Sequence, residues 1–177
     1  MIQLSRGRRL YRAVAALSVW VMSGVACSAT GTPTLDRERV RTPFPPVTAS
    51  ILAAHGWQDT GLVLNRLDVV EIEYLYGKWS TWLEEIPPHG AQGDPAQYIC
   101  AAEMPSANCA EELPEAVKGS LIARIGGTQA IPIGASAVFV ASSRGKLFLS
   151  INDAHDPRNL ADNVGSIVVQ ITVSPTE

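Results

Sequence analysis

Residues 145–173, GKLFLSINDAHDPRNLADNVGSIVVQITV, decide the fold of this chain. Apolar side chains alternate at both ends of the stretch: Leu147, Leu149 and Ile151 in the first, and Ile167, Val169, Ile171 and Val173 in the second. Because successive side chains of a strand point to opposite faces, each end predicts a half-buried β-strand. The loop between them is dense in side-chain oxygens, from Asn152, Asp153, Asp156, Asn159, Asp162 and Asn163. We predict that this loop is the functional site.

The start of the chain has the features of an export signal. Its first 12 residues contain Arg6, Arg8, Arg9 and Arg12, and residues 13–25 are apolar but too short to span a bilayer comfortably. The run ends Ser-Gly-Val-Ala-Cys, which resembles the lipobox of bacterial lipoproteins, although Gly24 stands where that pattern usually has Leu, Val or Ile. We predict a signal peptide over residues 1–26 and a lipid on Cys27. Simple cleaved secretion and an uncleaved anchor are the alternatives.

This start predicts an exported protein, an outer-membrane or cell-envelope lipoprotein that meets the membrane through its N-terminal lipid only. Ser28 after the cysteine, rather than Asp, resembles the outer-membrane sorting preference of many Gram-negative bacteria. Residues 27–46 are rich in Pro and Thr and have no hydrophobic period, so they predict a flexible tether. The predicted domain then covers residues 47–177.

The three cysteines fit this compartment. If Cys27 carries lipid, Cys100 and Cys109 remain as a pair, which an exported protein can keep oxidised. Two free thiols are the alternative. A Cys-x8-Cys pair with no well-placed histidines is a poor zinc site, so we predict a disulfide.

The charge balance excludes one class of partner. Removing residues 1–26 takes away four of the 14 basic residues and none of the 17 acidic ones, which leaves a net charge of −7. Binding to phosphate backbones needs clustered Lys and Arg, so no nucleic acid is expected. The balance is compatible with a divalent cation, and also with ordinary solubility.

Short alternating segments follow one another along the domain. Apart from residues 145–173, we predict strands near residues 62–64, 69–76, 121–125, 130–133 and 136–141, and weakly near 47–54. Gly77-Lys78 is expected to end the strand that begins at Val69. Residues 83–114 show no sustained period and hold the cysteine pair, which indicates a stapled excursion. About eight antiparallel strands and no convincing helix predict an all-β sandwich or barrel.

Five motifs occur in the order seen in one family. The chain resembles the calcium-dependent, galactose-binding bacterial lectins over about residues 55–173. The motifs are Trp57-x-Asp59-Thr60-Gly61, Gly77-x-Trp79, Leu121-Ile122-x-Arg124-Ile125-Gly126, Gly145-x-Leu147-x-Leu149-x-Ile151-Asn152-Asp153 and Asp162-Asn163-x-Gly165. The resemblance implies a jelly-roll-like β-sandwich whose last inter-strand loop binds Ca²⁺, and the Ca²⁺ ligates two sugar hydroxyls.

The resemblance also implies a ligand set. Asp153 and Asn163 match calcium ligands, and Asp162 falls where the lectins have an asparagine that touches metal and sugar. Trp82 falls where a tyrosine lends its backbone carbonyl. Calcium takes six to eight hard oxygens, which these residues and nearby carbonyls approach. Asp153, Asp162, Asn163 and Trp82 are therefore the predicted metal and sugar ligands.

The chain departs from the lectin pattern at two places. Its loop from Asp153 to Asp162 is two residues longer than in the lectins, so the carbonyl ligand within the loop has no assigned counterpart. The histidine and glutamine that grip the sugar's outer hydroxyl have no match in register, although His89 and Gln97 are nearby in sequence. The metal is thus predicted more firmly than galactose.

Each of these residues also has a simpler interpretation. Asp153, Asp162 and Asn163 are types that cap turns through their own backbone. Trp57 and Trp79 are expected to pack against the core or a strand edge. His155 is expected to be a solvated loop residue, and Glu71 with Glu73 a polar strand face.

Two functions remain open. The first is an envelope-tethered, calcium-dependent carbohydrate-binding module for galactosides or other glycans. The alternative is a structural or protein-interaction lipoprotein that keeps the sandwich without sugar binding. Catalysis is not expected, because no nucleophile, base and orienting group can be named together and residues 134–138 lack the second glycine of a nucleophile elbow.

Overall fold

The computed structural model describes residues 44–176, in which eight strands form two antiparallel four-stranded sheets. Sheet A has the spatial order β1 (Val47–Leu52), β8 (Val164–Ser174), β3 (Val69–Ser80) and β6 (Ser136–Val140). Sheet B has the order β2 (Gln58–Leu64), β7 (Gly145–Ile151), β4 (Leu121–Ile125) and β5 (Ile131–Pro132). The predicted all-β sandwich of eight antiparallel strands is confirmed.

The core lies between the inner faces of the two sheets. The side chains that alternate in β7 and β8 are all buried there, with exposed fractions of 2% or less. Residues between them in the two strands are more exposed or face the outside of the sandwich. The alternation that predicted these two strands therefore also identified which faces pack together.

Strand β3 is longer than the sequence predicted. Its pairing with β8 shifts register between Tyr74 and Tyr76, and the strand continues through Gly77 to Ser80. A bulge inserts one extra residue and reverses the side-chain alternation beyond it. Val70 and Ile72 before the bulge are buried, whereas Tyr76 after it is 63% exposed and Trp79 is fully buried. The prediction that Gly77 ends the strand is wrong for this reason.

Trp79 is a core residue, as expected. Its Nε1–H donates to the carbonyl of Gly119 at 2.8 Å, so the indole is buried with its polar atom satisfied. Gly165 lies directly opposite Trp79 on β8 with φ of 87°. A side chain there would overlap the backbone of β3. This close approach of the two backbones fixes how the start of β8, and the loop that precedes it, packs against β3.

The excursion between β3 and β4, which spans residues 81–120 in the structure, contains most of the helical turns. It contains the helix α1 (Cys100–Glu103) and a 3-10 turn at Ser106–Asn108. A second four-residue helix, α2 (Pro157–Leu160), lies in the β7–β8 loop. The expectation of no helix is thus corrected by two single turns. Cys100 and Cys109 form a disulfide, which confirms the predicted pair.

The N-terminal predictions lie outside the described residues. These are the signal peptide over residues 1–26, the lipid on Cys27 and the tether up to residue 43. Between residues 44 and 176, no helix combines the length and apolarity needed to cross a membrane.

Candidate functional site

A hollow of about 150 Å³ lies beside the β7–β8 loop. Three separate segments line it: the residues after β3, the end of the excursion before β4, and the loop itself. Trp82 lines the hollow, and its polar lining includes Thr81, Glu111, Lys118, Asp153, Asn159 and Asp162. The structure therefore brings three of the four predicted ligands, Asp153, Asp162 and Trp82, to one hollow, whereas Asn163 is not among the lining residues.

Asp153 is the buried carboxylate of this hollow, with 5% of its surface exposed. Its Oδ1 accepts a hydrogen bond from the Ala154 N–H at 2.9 Å and lies 3.7 Å from the Lys118 Nζ. Burial raises the pKa of Asp153 above its ordinary value, and the nearby Glu111 carboxylate adds to the rise. Lys118, the Ala154 N–H and the Asn163 side chain oppose it. A cation in the hollow would relieve the cost of this buried charge.

Asn152, one residue earlier, has a different role. Its Nδ2 lies 3.0–3.3 Å from the carbonyl oxygens of Leu113, Ala116 and Val117, and its Oδ1 accepts from the Leu113 N–H at 2.9 Å. Both backbone groups of Asn152 are bonded as well, to Gly119 and Ser120. Asn152 therefore fastens the end of the excursion to the sandwich, and each of its polar atoms already has a partner within the chain.

Three side chains at or beside the hollow carry a buried oxygen atom that the described chain leaves without a hydrogen-bond partner: Asn163, Thr81 and Glu111, of which Asn163 is not among the lining residues. Asn163 is 3% exposed; its Nδ2 donates to the Ala53 carbonyl at 3.2 Å, but its Oδ1 has no partner. Thr81 is also 3% exposed and its Oγ1 is unpaired. Buried polar atoms are nearly always bonded in native structures, so each exception points to a partner from outside the chain.

Asp162 and Trp82 form the exposed side of the hollow. Asp162 is solvent-exposed, and Trp82 is 43% exposed. The Trp82 carbonyl already accepts the N–H groups of Glu85 at 3.1 Å and Ile86 at 2.7 Å. Both lone pairs of that oxygen are therefore used. These bonds disfavour the expected role of the carbonyl as a metal ligand, although Trp82 itself lines the hollow.

The simpler interpretation, that the Asp and Asn residues only make turns, applies to part of the loop. Asp156 caps α2, since its Oδ1 accepts from Arg158 N and Asn159 N at 2.9 and 3.2 Å. Asp153 bonds to the next N–H in the same manner, but it also faces Lys118. Asn163 makes no such local bond; its partner is Ala53, on another segment.

His155 is not a solvated loop residue, because its side chain is only 9% exposed. Its Nε2 lies 3.0 Å from both Ser150 Oγ and the Ile151 carbonyl, and its Nδ1 lies 3.2 Å from Glu112 Oε1. The order Ser, His, Glu resembles that of a hydrolase triad. Ser150, however, is fully buried and shares the imidazole with a carbonyl, so no substrate reaches it. The cluster instead ties the loop to the excursion.

The two residues near the expected sugar-gripping positions do not line the hollow. His89 is 4% exposed, and its ring lies against Gly119, where an added Cβ would approach it to 2.7 Å. Gln97 is on the surface of the excursion with φ of 56°. Neither has the placement that the lectin resemblance requires.

The oxygens at the hollow fit calcium in their chemistry. Carboxylate, amide and hydroxyl oxygens are the hard donors that Ca²⁺ takes. Among the described residues, one trio of His, Cys, Asp or Glu has its ligand atoms within 4.8 Å of one another, and it is Cys100, Cys109 and Glu111. Its cysteines form the disulfide, so it is no metal site. A cation at the hollow would therefore need the neutral oxygens besides carboxylates.

Sequence reasoning missed three lining residues: Thr81, Glu111 and Lys118. Thr81 precedes the predicted Trp82 by one position, but nothing in its sequence context marks its side chain as buried and unpaired. Glu111 and Lys118 belong to the excursion, which has no period to orient them. Glu111 and Lys118 reach the hollow only because the folded excursion packs against the β7–β8 loop, which a local sequence pattern does not show.

Comparison with known proteins gives matches among solved structures only. No family model and no curated protein matches the chain. Among solved structures, the N-terminal domain of EclA, described as a PllA-like lectin, is similar with a TM-score of 0.52 and 18% identity; the match covers 72% of this chain and 96% of that domain. At this identity the likeness concerns the fold. The described residues therefore form a lectin-like β-sandwich.

Proposed function

We propose that this protein is a calcium-dependent carbohydrate-binding module, tethered to the cell envelope through a lipid on Cys27. The observation that carries the proposal is the set of buried, unpaired oxygens around the buried Asp153 carboxylate: Asn163 Oδ1, Thr81 Oγ1 and Glu111 Oε2. Thr81 and Glu111 line the same hollow as Asp153, and the Asn163 side chain is a hydrogen-bonding neighbour of Asp153. A divalent cation would satisfy such acceptors and the carboxylate together. The disulfide is compatible with an exported protein.

Asp153, Asp162 and Asn163 are the residues that would hold the ion. When bound, calcium would supply coordination sites for two neighbouring hydroxyls of a sugar. The Asp153 carboxylate would contribute a negative charge on the buried side of the hollow, and the Asp162 carboxylate would contribute one on the exposed side. The Thr81 hydroxyl oxygen would be an additional calcium ligand, one that the sequence did not predict.

The sugar would lie over the exposed side of the hollow. The Trp82 ring offers an apolar face to the C–H surface of a pyranose. Glu111 and Asn159 are hydrogen-bonding groups for the hydroxyls that point away from the ion. These groups suit galactosides or other neutral glycans, because the acidic lining disfavours acidic sugars.

A glycan array tests the proposal. The protein is applied with calcium and with chelator, beside Asp153→Ala and the control Asp59→Ala, which removes an exposed carboxylate paired with Lys146 on β7. We expect binding with calcium only, lost in Asp153→Ala and kept in Asp59→Ala. Binding that persists in chelator, or no binding with calcium, would contradict the proposal.

One observation favours the alternative function, a structural or protein-interaction lipoprotein. Strand β6 is at the edge of sheet A, and its Val138 and Val140 are 66% and 55% exposed. An apolar outer face on an edge strand suits a protein partner. Crosslinking in the envelope would distinguish the two: this alternative predicts a partner lost in Val138→Lys and no response to calcium.

A further inference from the structure

Lys118 brings a positive charge to a hollow whose other charged lining residues are the acidic Glu111, Asp153 and Asp162. Its Nζ lies 3.7 Å from Asp153 Oδ1, and its side chain is 26% exposed. Among the described residues that line the hollow, it is the only cation. Its ammonium therefore neutralises the carboxylate that the proposed calcium ion would need.

The backbone of Lys118 is fixed while its side chain has a route to solvent. The Lys118 N–H donates to the Tyr98 carbonyl at 2.8 Å, and the Lys118 carbonyl accepts from the Asp94 N–H at 2.8 Å. The neighbouring Val117 carbonyl is bonded to Asn152. A swing of the side chain would therefore move the ammonium without moving the loop, since a lysine stem is long and flexible.

A monovalent ammonium and a divalent cation cannot both occupy the space at this carboxylate. Like charges a few ångströms apart repel strongly in a partly buried site, where the effective dielectric is low. Without a cation, in turn, the 5%-exposed carboxylate needs the ammonium. The two positive groups are therefore alternatives.

We infer that Lys118 is a built-in competitor of the divalent cation: it occupies Asp153 when calcium is scarce and leaves when calcium binds. This inference rests on the proposed calcium site and adds that Lys118 sets the calcium concentration at which the site loads. Removal of the ammonium then raises calcium affinity, although the residue is not itself a calcium ligand.

Calorimetric titration of the full-length protein with calcium chloride tests the inference. We compare the wild type with Lys118→Met, which keeps the apolar stem, with Lys118→Arg, which keeps the charge, and with the control Lys146→Met, which removes a lysine bonded to Asp59 at 2.7 Å. Lys118→Met should lower the Kd by about tenfold or more. Lys118→Arg and Lys146→Met should stay within about twofold of the wild type.

The outcomes separate the two proposals. If the wild type and Lys118→Met bind calcium with equal Kd, the competition is refuted while the calcium site stands. If neither binds calcium, both are refuted. A weaker Kd in Lys118→Met would make the lysine a supporting group and would also refute the competition.

A second measurement needs no variant and so does not depend on how Lys118→Met folds. Amine acylation with and without calcium, read by mass spectrometry at each lysine, reports how available the ammonium is. Calcium should raise the labelling of Lys118 several-fold and leave Lys146 unchanged. Equal labelling of Lys118 in both conditions would overturn the inference.

Discussion

Asn152 and Asn163 stand at the two ends of the same loop, and both are buried to 3% exposure or less. The Asn152 side chain has both of its polar atoms bonded to the excursion. The Asn163 side chain is bonded through its nitrogen only, and its oxygen has no partner among the described residues. Equally buried asparagines therefore differ: Asn152 fastens the excursion to the sandwich, and Asn163 has an unpaired oxygen, which we propose as a calcium ligand. Hydrogen-bond accounting, not burial, separates them.

Asn152→Ala should have the largest effect on stability. The change removes the side-chain bonds and leaves a buried N–H and several carbonyls without partners, so we expect a loss of about 3 kcal/mol in the free energy of unfolding. Urea unfolding measures it. The folded fraction should keep the calcium-induced rise in melting temperature. A loss below about 1 kcal/mol would show that Asn152 does not fasten the excursion.

Opening the disulfide is the next largest change. Cys100→Ser with Cys109→Ser should lower the free energy of unfolding by about 2–3 kcal/mol, because the bridge closes a short loop. Unfolding with and without reductant is the measurement. Identical curves would mean that the bridge does not stabilise the excursion.

Asn163→Ala should reverse the pattern of Asn152→Ala. One hydrogen bond is lost, so the stability cost is about 1 kcal/mol, whereas the calcium-induced rise in melting temperature should disappear. Asn163→Asp keeps an oxygen and should retain the rise. If Asn163→Ala responds to calcium like the wild type, the contrast between the two asparagines is wrong.

The smallest expected effect is on pH dependence. Burial raises the pKa of Asp153 in the folded state above the ordinary value of 3.8. At a pH between the unfolded-state and the folded-state pKa of Asp153, the folded metal-free protein therefore binds a proton that the unfolded chain does not. The resulting stability is fully present below pH 3.8 and is lost as pH rises through the folded-state pKa. Melting curves of the wild type and Asp153→Asn across this window should diverge; parallel curves would contradict the shift.

The sequence was most informative where one face of a strand is buried. Alternation identified β7, β8 and their inner faces, since period-two burial is a local property. It failed at β3, where a bulge at Leu75, between Tyr74 and Tyr76, reverses the faces. The position of a bulge depends on the partner strand, which no local pattern records.

The candidate site was predictable only in part. Of the four predicted ligands, Asp153, Asp162 and Trp82 line one hollow, and Asn163 is not among its lining residues. The buried His155 cluster and the Lys118 contact were not predicted, because both depend on the excursion folding back over the loop. Contacts between segments that lie far apart in the chain leave no periodic trace in either segment.

Thermal melting with calcium and with chelator tests the calcium site most directly. By mass action, calcium at about 100 times its Kd adds about 2.7 kcal/mol to the stability of a protein that binds it only when folded. We expect the wild type and Asp59→Asn to melt at a higher temperature with calcium, and Asp153→Asn to melt at one temperature in both conditions. A wild type indifferent to calcium, or an equal rise in Asp153→Asn, would contradict the proposed site.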